Sequence, residues 1–232
     1  METSNLPEVK SGVFDLLDAK LMGGEIGVIV SRAGVGKTAF LTLIALEEIS
    51  SGGKILHVCI DEPPDKIRTW YEELLRVHGN LTSTTVLKGL VKSIEPQRFI
   101  VSFLHNSFSL QKLAETLENV SGQARFKPSL VVLDGLDFER YDKTFFSNMK
   151  KLLNDQEIPM WASARTHRHL EEENPKKIPH PCNNFEELLD VIVILAPTPE
   201  GNISLRVAKD RKVYNPEGKE VILKPQVFVP CQ

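Results

Sequence analysis

The sequence has few cysteines, no long apolar run and no excess of basic charge, and each of these excludes a class of protein. It has three cysteines, Cys59, Cys182 and Cys231, and no C-x-x-C pair, which argues against a disulfide framework or a cysteine metal site. No apolar run approaches the roughly 20 residues that a membrane-spanning helix needs. There is no excess of basic charge, because the formal net charge is -3, and this argues against a general affinity for nucleic acid or anionic lipid.

What the chain does have is an ordinary globular composition, with 41% hydrophobic and 25% charged residues in a length of 232. That length suits one α/β domain, which we expect to span residues 1–232, with residues 1–10 as a flexible amino-terminal segment. The first residues lack a basic stretch followed by an apolar one, so no signal peptide is predicted. Together with the few scattered thiols, this predicts a cytoplasmic protein.

Short apolar segments alternate with segments of helical periodicity, which is typical of a mostly parallel central sheet flanked by crossover helices. The predicted strands are residues 25–30, 55–60, 99–104, 130–133 and 159–164, and the predicted helices are residues 37–50, 63–77, 110–120 and 143–154. Near residue 191 the pattern becomes rich in strands. Residues 191–195 and 203–208 flank a turn at Glu200-Gly201-Asn202 and predict a carboxy-terminal β-hairpin extension of the sheet.

The most specific pattern in the chain is a glycine-rich loop between a predicted strand and a predicted helix. It reads Ser31-Arg32-Ala33-Gly34-Val35-Gly36-Lys37-Thr38 and is followed by Ala39. Glycines let backbone N–H groups approach phosphate oxygens, and the helix N-terminus adds partial positive charge. Lys37 can reach the β- and γ-phosphates, and the Thr38 hydroxyl can ligate Mg²⁺. The pattern therefore predicts a P-loop that binds ATP, although Ser31 stands where a glycine is usual.

A second element fits the first. Leu130-Val131-Val132-Leu133-Asp134 is an apolar strand that ends in a carboxylate, about a hundred residues after the loop. In P-loop proteins such a carboxylate holds the Mg²⁺ shell, so Thr38 and Asp134 are the predicted metal ligands. Many buried strands end in aspartate, and the combination with the loop is what carries the prediction.

Taken together, these motifs resemble the RecA superfamily of P-loop ATPases. Gly23-Gly24, Gly27, the glycine-rich loop and Ile60-Asp61-Glu62-Pro63-Pro64 look like the KaiC-type ATPases, in which a strand ends in two acidic residues before proline. Gly36-Lys37-Thr38-Ala39-Phe40 is similar to the core of the DnaB-type replicative helicases. Those proteins also have a residue other than glycine first and an arginine second in the loop, as Ser31 and Arg32 are here. The resemblance implies a RecA-like P-loop NTPase core.

The resemblance also implies roles for residues outside the loop. Asp61 or Glu62 would activate the attacking water, and both alternatives stay open. Asp61 is the helicase-like choice but is one methylene shorter than a glutamate, which implies slow hydrolysis. Arg165, at the end of a strand, would sense phosphate. Lys209 and Arg211 would form a Lys-x-Arg finger that reaches the γ-phosphate bound by a neighbouring subunit. A helix cap at the acidic pair, and a solvated strand end at the Lys-x-Arg sequence, are the structural alternatives.

The expected function is an ATP-binding and ATP-hydrolysing nucleotide switch or assembly, with a hexameric ring as the homo-oligomer. One alternative is a DNA-dependent motor or recombinase paralogue, whose strand-binding loops would be residues 139–144 and 166–184. The second loop is mixed in sign, so nucleic acid is an alternative ligand that is not favoured; its charges are Arg168, Lys176 and Lys177 against Glu171, Glu172 and Glu173. The other alternative is a module that holds ATP without hydrolysing it.

Overall fold

Strands and helices alternate along most of the chain. The structure, a computed structural model, describes residues 6–7, 9–166, 176–225 and 228. Within them the strands are β1 (Ile26–Ser31), β2 (Ile55–Ile60), β3 (Arg98–Phe103), β4 (Leu130–Asp134), β5 (Met160–Arg165), β6 (Val191–Pro197), β7 (Ile203–Asp210), β8 (Val213–Tyr214) and β9 (Glu220–Leu223). The helices are α1 (Val13–Leu16), α2 (Lys37–Ser50), α3 (Pro64–His78), α4 (Thr84–Ile94), α5 (Leu110–Gly122) and α6 (Lys143–Asp155).

The strands of the described residues form one sheet, in the order β3-β2-β4-β5-β1-β6-β7-β8, with β9 paired to β7. Strands β1 to β6 all run parallel to one another. Strand β7 is antiparallel to β6, and β8 and β9 are antiparallel to β7. The prediction of an α/β fold with a mostly parallel sheet is therefore confirmed. The predicted carboxy-terminal hairpin is formed by β6 and β7, and β8 and β9 extend it.

Helices cover both faces of the sheet. The apolar side chains of α2, α3 and α4 pack in one core cluster, and those of α5 and α6 pack in a second cluster on the other face. This explains why β1, β2 and β4 are buried over their whole length, since a parallel strand between two helical layers contacts apolar groups on both sides. In the described part of the chain, no helix is long and apolar enough to cross a membrane.

Two local features differ from the sequence-based expectations. Helix α4 lies in a stretch for which no element is predicted; Ser83 caps it, and Leu87 and Leu90 bury its inner face. Residues 1–10 are expected to be flexible, but Val9 is only 2% exposed and packs in the core. Residues 1–5 and 8 lie outside the described residues.

The strand order brings the ends of four parallel strands to one edge of the sheet. β5 lies between β1 and β4, and β2 is the next neighbour of β4. The segments that follow β1, β2, β4 and β5 therefore meet at the carboxyl edge, where α/β sheets of this type bind their ligands. These segments contain the glycine-rich loop, the acidic pair, the end of the Asp134 strand and Arg165.

Candidate functional site

The glycine-rich loop, residues 31–38, turns from the end of β1 into the start of α2. Gly34 and Gly36 have φ values of 80° and 111°, which residues with a side chain rarely adopt. Gly36 is the N-cap of α2 and offers no side-chain hydrogen bond to the helix. The first backbone N–H groups of this 14-residue helix thus face the carboxyl edge without a capping side chain. Such a terminus favours an anionic ligand.

Lys37 is folded back over the loop. Its Nζ donates to the carbonyl oxygen of Ser31 at 3.1 Å, to Ser31 Oγ at 3.3 Å and to the carbonyl oxygen of Arg32 at 3.1 Å. Burial lowers the pKa of Lys37, while nearby Asp134 raises it and Arg165 lowers it. The ammonium group is therefore held within the loop, between one carboxylate and one other cation. A phosphate anion there would favour its charged form.

Asp134 is the centre of a hydrogen-bonded group of side chains from three segments. The Thr38 hydroxyl donates to Asp134 Oδ2 at 2.6 Å, and the Ser163 hydroxyl donates to Asp134 Oδ1 at 2.6 Å. The backbone N–H of Gly135 donates to Ser163 Oγ at 3.0 Å. Asp134 is only 5% exposed and Ser163 only 3%. Each carboxylate oxygen of Asp134 thus accepts a hydrogen bond from one hydroxyl group, which fixes the orientation of the carboxylate.

The donor set around Thr38 and Asp134 suits Mg²⁺. A hydroxyl and one carboxylate are hard oxygen ligands, and Mg²⁺ in nucleotide sites commonly takes one or two such groups together with water and phosphate oxygens. A cage made only of protein ligands is not needed for that coordination. Accordingly, the described residues contain no cluster of three or more His, Cys, Asp and Glu side chains that could hold a metal.

A cavity of about 410 Å³ opens at this edge and joins the predicted elements. Six of the predicted site residues line it, namely Ala33, Lys37, Thr38, Glu62, Asp134 and Arg165. The remaining lining residues are Ile60, Gly135, Leu136, Asp137, Phe138, Glu139, Ser163 and Pro181. The structure therefore brings together side chains that lie far apart in the sequence, from the glycine-rich loop and from the ends of β2, β4 and β5.

The two acidic residues after β2 have different surroundings. Asp61 has a positive φ of 60°, and its Oδ1 accepts a 2.6 Å hydrogen bond from the backbone N–H of His105. It does not line the cavity, whereas Glu62 does. The carboxylate of Glu62 forms a 2.7 Å ion pair with Lys66, one turn along α3. Of the two candidate bases, only Glu62 lines the cavity that the glycine-rich loop borders, and this placement favours it over the helicase-like choice of Asp61.

Arg165 ends β5 directly beside the glycine-rich loop. In the parallel register it is the partner of Ser31, and the next residue, Thr166, donates its backbone N–H to the carbonyl oxygen of Ser31 at 3.1 Å. The side chain is exposed and lines the cavity. It supplies a second positive charge close to Lys37, which is the placement that a phosphate-sensing residue requires.

Lys209 and Arg211 lie at the opposite end of the sheet. Asp210, between them, pairs with Val191, which pairs with Gly27 near the start of β1. The glycine-rich loop begins four residues later, roughly 13 Å away at the usual rise of a strand. The pair therefore cannot reach the loop of its own chain.

Both side chains also have contacts within the chain, so neither is a freely projecting finger. Lys209 is 5% exposed, and its Nζ donates to the carbonyl oxygens of Glu186 and Leu189. Arg211 bonds Glu25 Oε2 at 2.9 Å and Asp210 Oδ1 at 2.6 Å, and it also donates to two backbone carbonyl oxygens. The structural alternative, a solvated strand end, does not describe this conformation either, because Lys209 is buried and Arg211 is ion-paired.

The sequence analysis assigns no role to Ser163, whose hydroxyl holds the carboxylate of Asp134 in place. Its signal was a hydroxyl within an otherwise apolar, fully buried stretch of β5, because a buried polar side chain must find a partner. Asp137 and Glu139 also line the cavity, in the segment after β4. Of the two loops considered for DNA, residues 139–144 lie among the described residues, whereas residues 167–175 of the second lie outside them.

Comparison with known proteins adds no relative. No protein-family model matches the chain, and a search of curated proteins gives no match either.

Proposed function

We propose that the chain is an ATP-binding and ATP-hydrolysing protein with a RecA-like P-loop core of the KaiC type. The observation that carries the proposal is the meeting of Lys37, Thr38 and Asp134 at one cavity on the carboxyl edge of a parallel sheet. A loop of glycines, a lysine, a hydroxyl and a buried carboxylate are the groups that nucleoside triphosphates with Mg²⁺ require. The resemblance to KaiC-type ATPases and DnaB-type helicases supports the same conclusion.

The polar residues of the glycine-rich loop, β4 and β5 have distinct roles in this proposal. The N–H groups of the glycine-rich loop and the start of α2 bind phosphate oxygens. Lys37 exchanges its bonds to the Ser31 and Arg32 carbonyls for the β- and γ-phosphates, and Arg165 adds charge at the γ-phosphate. Thr38 and Asp134 hold Mg²⁺, which supplies neutralisation of the phosphate charge when bound. Ser163 keeps Asp134 oriented.

Glu62 is our proposed general base. Its carboxylate is on the cavity side of the acidic pair, and a glutamate has the reach that an aspartate at Asp61 would lack. Lys66, one helical turn away, forms an ion pair with Glu62. Both side chains are partly exposed, so this pair can open and release the carboxylate. Asp61, bound to the backbone of His105, serves instead to shape the turn between β2 and α3.

The proposed biological role is a nucleotide-dependent switch or assembly, with a hexameric ring as the oligomer. In such a ring Lys209 and Arg211 would act on a neighbour's nucleotide, because they lie at the end of the sheet away from their own loop. They would first have to leave Glu25, Asp210 and the carbonyl oxygens that now hold them. Strong stimulation of hydrolysis by single-stranded DNA would count against this role and for a DNA-dependent motor.

Calorimetric titration of the protein with Mg-ATP tests the proposal directly. The unaltered chain should bind, and Lys37→Ala should lose at least about tenfold in affinity while keeping its circular dichroism spectrum. Lys92→Ala is the matched control, since Lys92 is an exposed lysine on α4, away from the cavity. Equal affinities for the unaltered chain and a folded Lys37→Ala variant would refute the assignment of the loop.

A further inference from the structure

The ring of Phe228 is packed against the glycine-rich loop. A Cβ atom built on Gly36 would lie 2.6 Å from Phe228 Cζ, and 3.4 and 3.7 Å from its two Cε atoms. The tip of the ring therefore points at the Gly36 backbone. A residue with a Cβ atom at position 36 would clash with the ring. Phe228 is only 2% exposed, although it lies near the end of the chain.

A second contact fixes the ring on its other side. Phe40, in the first turn of α2, packs edge-on against Phe228 with ring centroids 5.3 Å apart. The backbone N–H of Phe40 donates to the carbonyl oxygen of Gly36 at 2.9 Å. Phe228 itself is held by a bond from its backbone N–H to the carbonyl oxygen of Lys224 at 3.0 Å. The ring is thus wedged between the loop and the helix that follows it.

Gly34, two residues earlier in the loop, has no such packing contact among the described residues. A Cβ atom built on Gly34 would meet nothing within 4 Å, and Ala33 and Gly34 are exposed. Gly36 combines a φ of 111° with the Phe228 contact, and the backbone of Gly36 leads directly into Lys37 and Thr38. A shift of Gly36 would therefore displace the N–H groups and both side chains that face the cavity.

We propose that Phe228 is a positioning residue for the phosphate-binding loop, and that nucleotide affinity depends on its ring. This inference rests on the proposed function, because it assigns a control to the same site. Phe228 does not touch the cavity and acts only through Gly36 and Phe40. The carboxy-terminal part of the chain is in this way coupled to the glycine-rich loop, and whatever removes Phe228 from its place weakens nucleotide binding.

Three substitutions at Phe228 separate positioning from simple packing. Phe228→Ala removes the ring and should weaken Mg-ATP binding by about tenfold or more, since small displacements of a site cost large factors. Phe228→Met keeps an apolar chain of similar reach and should restore most of the affinity. Phe228→Tyr keeps the ring but adds an oxygen at Cζ, directed at Gly36, and should bind as poorly as the alanine variant.

Phe126→Ala is the matched control, because Phe126 is a buried ring packed on Phe99 of the edge strand β3. It should lower the thermal midpoint without changing Mg-ATP affinity. The inference is overturned if the unaltered chain binds Mg-ATP and the alanine and tyrosine variants, shown to be folded, bind it equally well. If the unaltered chain does not bind Mg-ATP at all, the proposed function fails instead. Loss of affinity in Phe126→Ala as large as in Phe228→Ala would also overturn it.

Discussion

The Thr38 hydroxyl donates a 2.6 Å hydrogen bond to the carboxylate of Asp134, although the two residues are 96 positions apart in the sequence. This bond joins the start of α2 to the end of β4 across the intervening strand β5. On the other side of the same carboxylate, Ser163 of β5 donates at 2.6 Å. Three chain segments thus converge on one buried acid.

Replacing the buried acid should remove the metal dependence of nucleotide binding. In Asp134→Asn the proposed ligand for Mg²⁺ loses its charge, while the glycine-rich loop keeps its sequence. We expect Mg-ATP affinity to fall by about tenfold or more, and ATP affinity in the presence of a chelator to change little. Titration calorimetry with and without Mg²⁺ measures both. Asp137→Asn, in the same cavity but without a bond to Thr38, is the control; an equal loss in that variant would show that general charge, not ligation, is responsible.

The acidic pair after β2 should separate cleanly in a hydrolysis assay. Glu62→Gln removes the carboxylate that faces the cavity, and we expect the rate of phosphate release to fall by about 10²–10⁴-fold with ATP affinity retained. Asp61→Asn should stay within a few-fold of the unaltered rate, since asparagine tolerates the positive φ at this position and Asp61 does not line the cavity. The reverse result would restore the helicase-like assignment. ATP binding without any phosphate release from the unaltered chain would favour a module that binds ATP without hydrolysing it.

Arg211 should behave first as a structural residue. Arg211→Ala leaves Glu25 and Asp210, whose side chains are 15% and 2% exposed, without their cation. Breaking such a partly buried pair should lower the free energy of unfolding by about 2–3 kcal/mol, measured by urea denaturation. Lys212→Ala, an exposed neighbour, should cost almost nothing. The opposite outcome is an Arg211→Ala variant that is as stable as the unaltered chain but no longer forms a larger oligomer when ATP is added. That outcome would favour the finger assignment and show that the ion pairs contribute little to stability.

Stability should fall in mild acid because of a buried histidine. Burial lowers the pKa of His57 to about 4, against a raising effect of Asp134 and with a further lowering by Arg98. Its Nδ1 lies 3.1 Å from the Tyr71 hydroxyl, and its Nε2 has no hydrogen-bond partner among the described residues. Between about pH 6.5 and 4 the unfolded chain binds a proton at this residue that the folded chain does not, so folding is favoured at higher pH and weakened as the pH falls.

The measurement is urea unfolding of the unaltered chain and of His57→Gln at about pH 7 and about pH 5. The unaltered chain should lose about 2 kcal/mol more than the variant over this interval. His105→Gln, which removes a partly exposed histidine, controls for the general effect of a lost imidazole. A loss in His57→Gln equal to that of the unaltered chain would show that other groups titrate with folding.

Local sequence patterns determined the elements of the fold. Helix α2 begins at Lys37 and ends at Ser50, and β2 covers residues 55–60, both as predicted. A glycine-rich turn before an apolar helical segment, and a short apolar run, are patterns that depend on neighbours within a few residues. The same holds for the antiparallel hairpin of β6 and β7. Helix α4, for which no element is predicted, also has a local signal, because Leu87, Leu90 and Ile94 repeat at helical spacing after the Ser83 cap.

Only the tertiary structure could decide which predicted site residues meet. Asp61 and Glu62 are adjacent in sequence, and a bond from the distant backbone of His105 turns the first away from the cavity that the second lines. Arg211 belongs to a Lys-x-Arg sequence that resembles a finger. The strand register nevertheless places it beside Glu25, at the opposite end of the sheet from the glycine-rich loop. Phe228 belongs to no motif, and only the structure shows that its ring packs against Gly36 and Phe40. Sequence spacing specifies periodicity and turns, whereas contacts between remote segments depend on how the sheet is ordered and on which side chains its edges bring together.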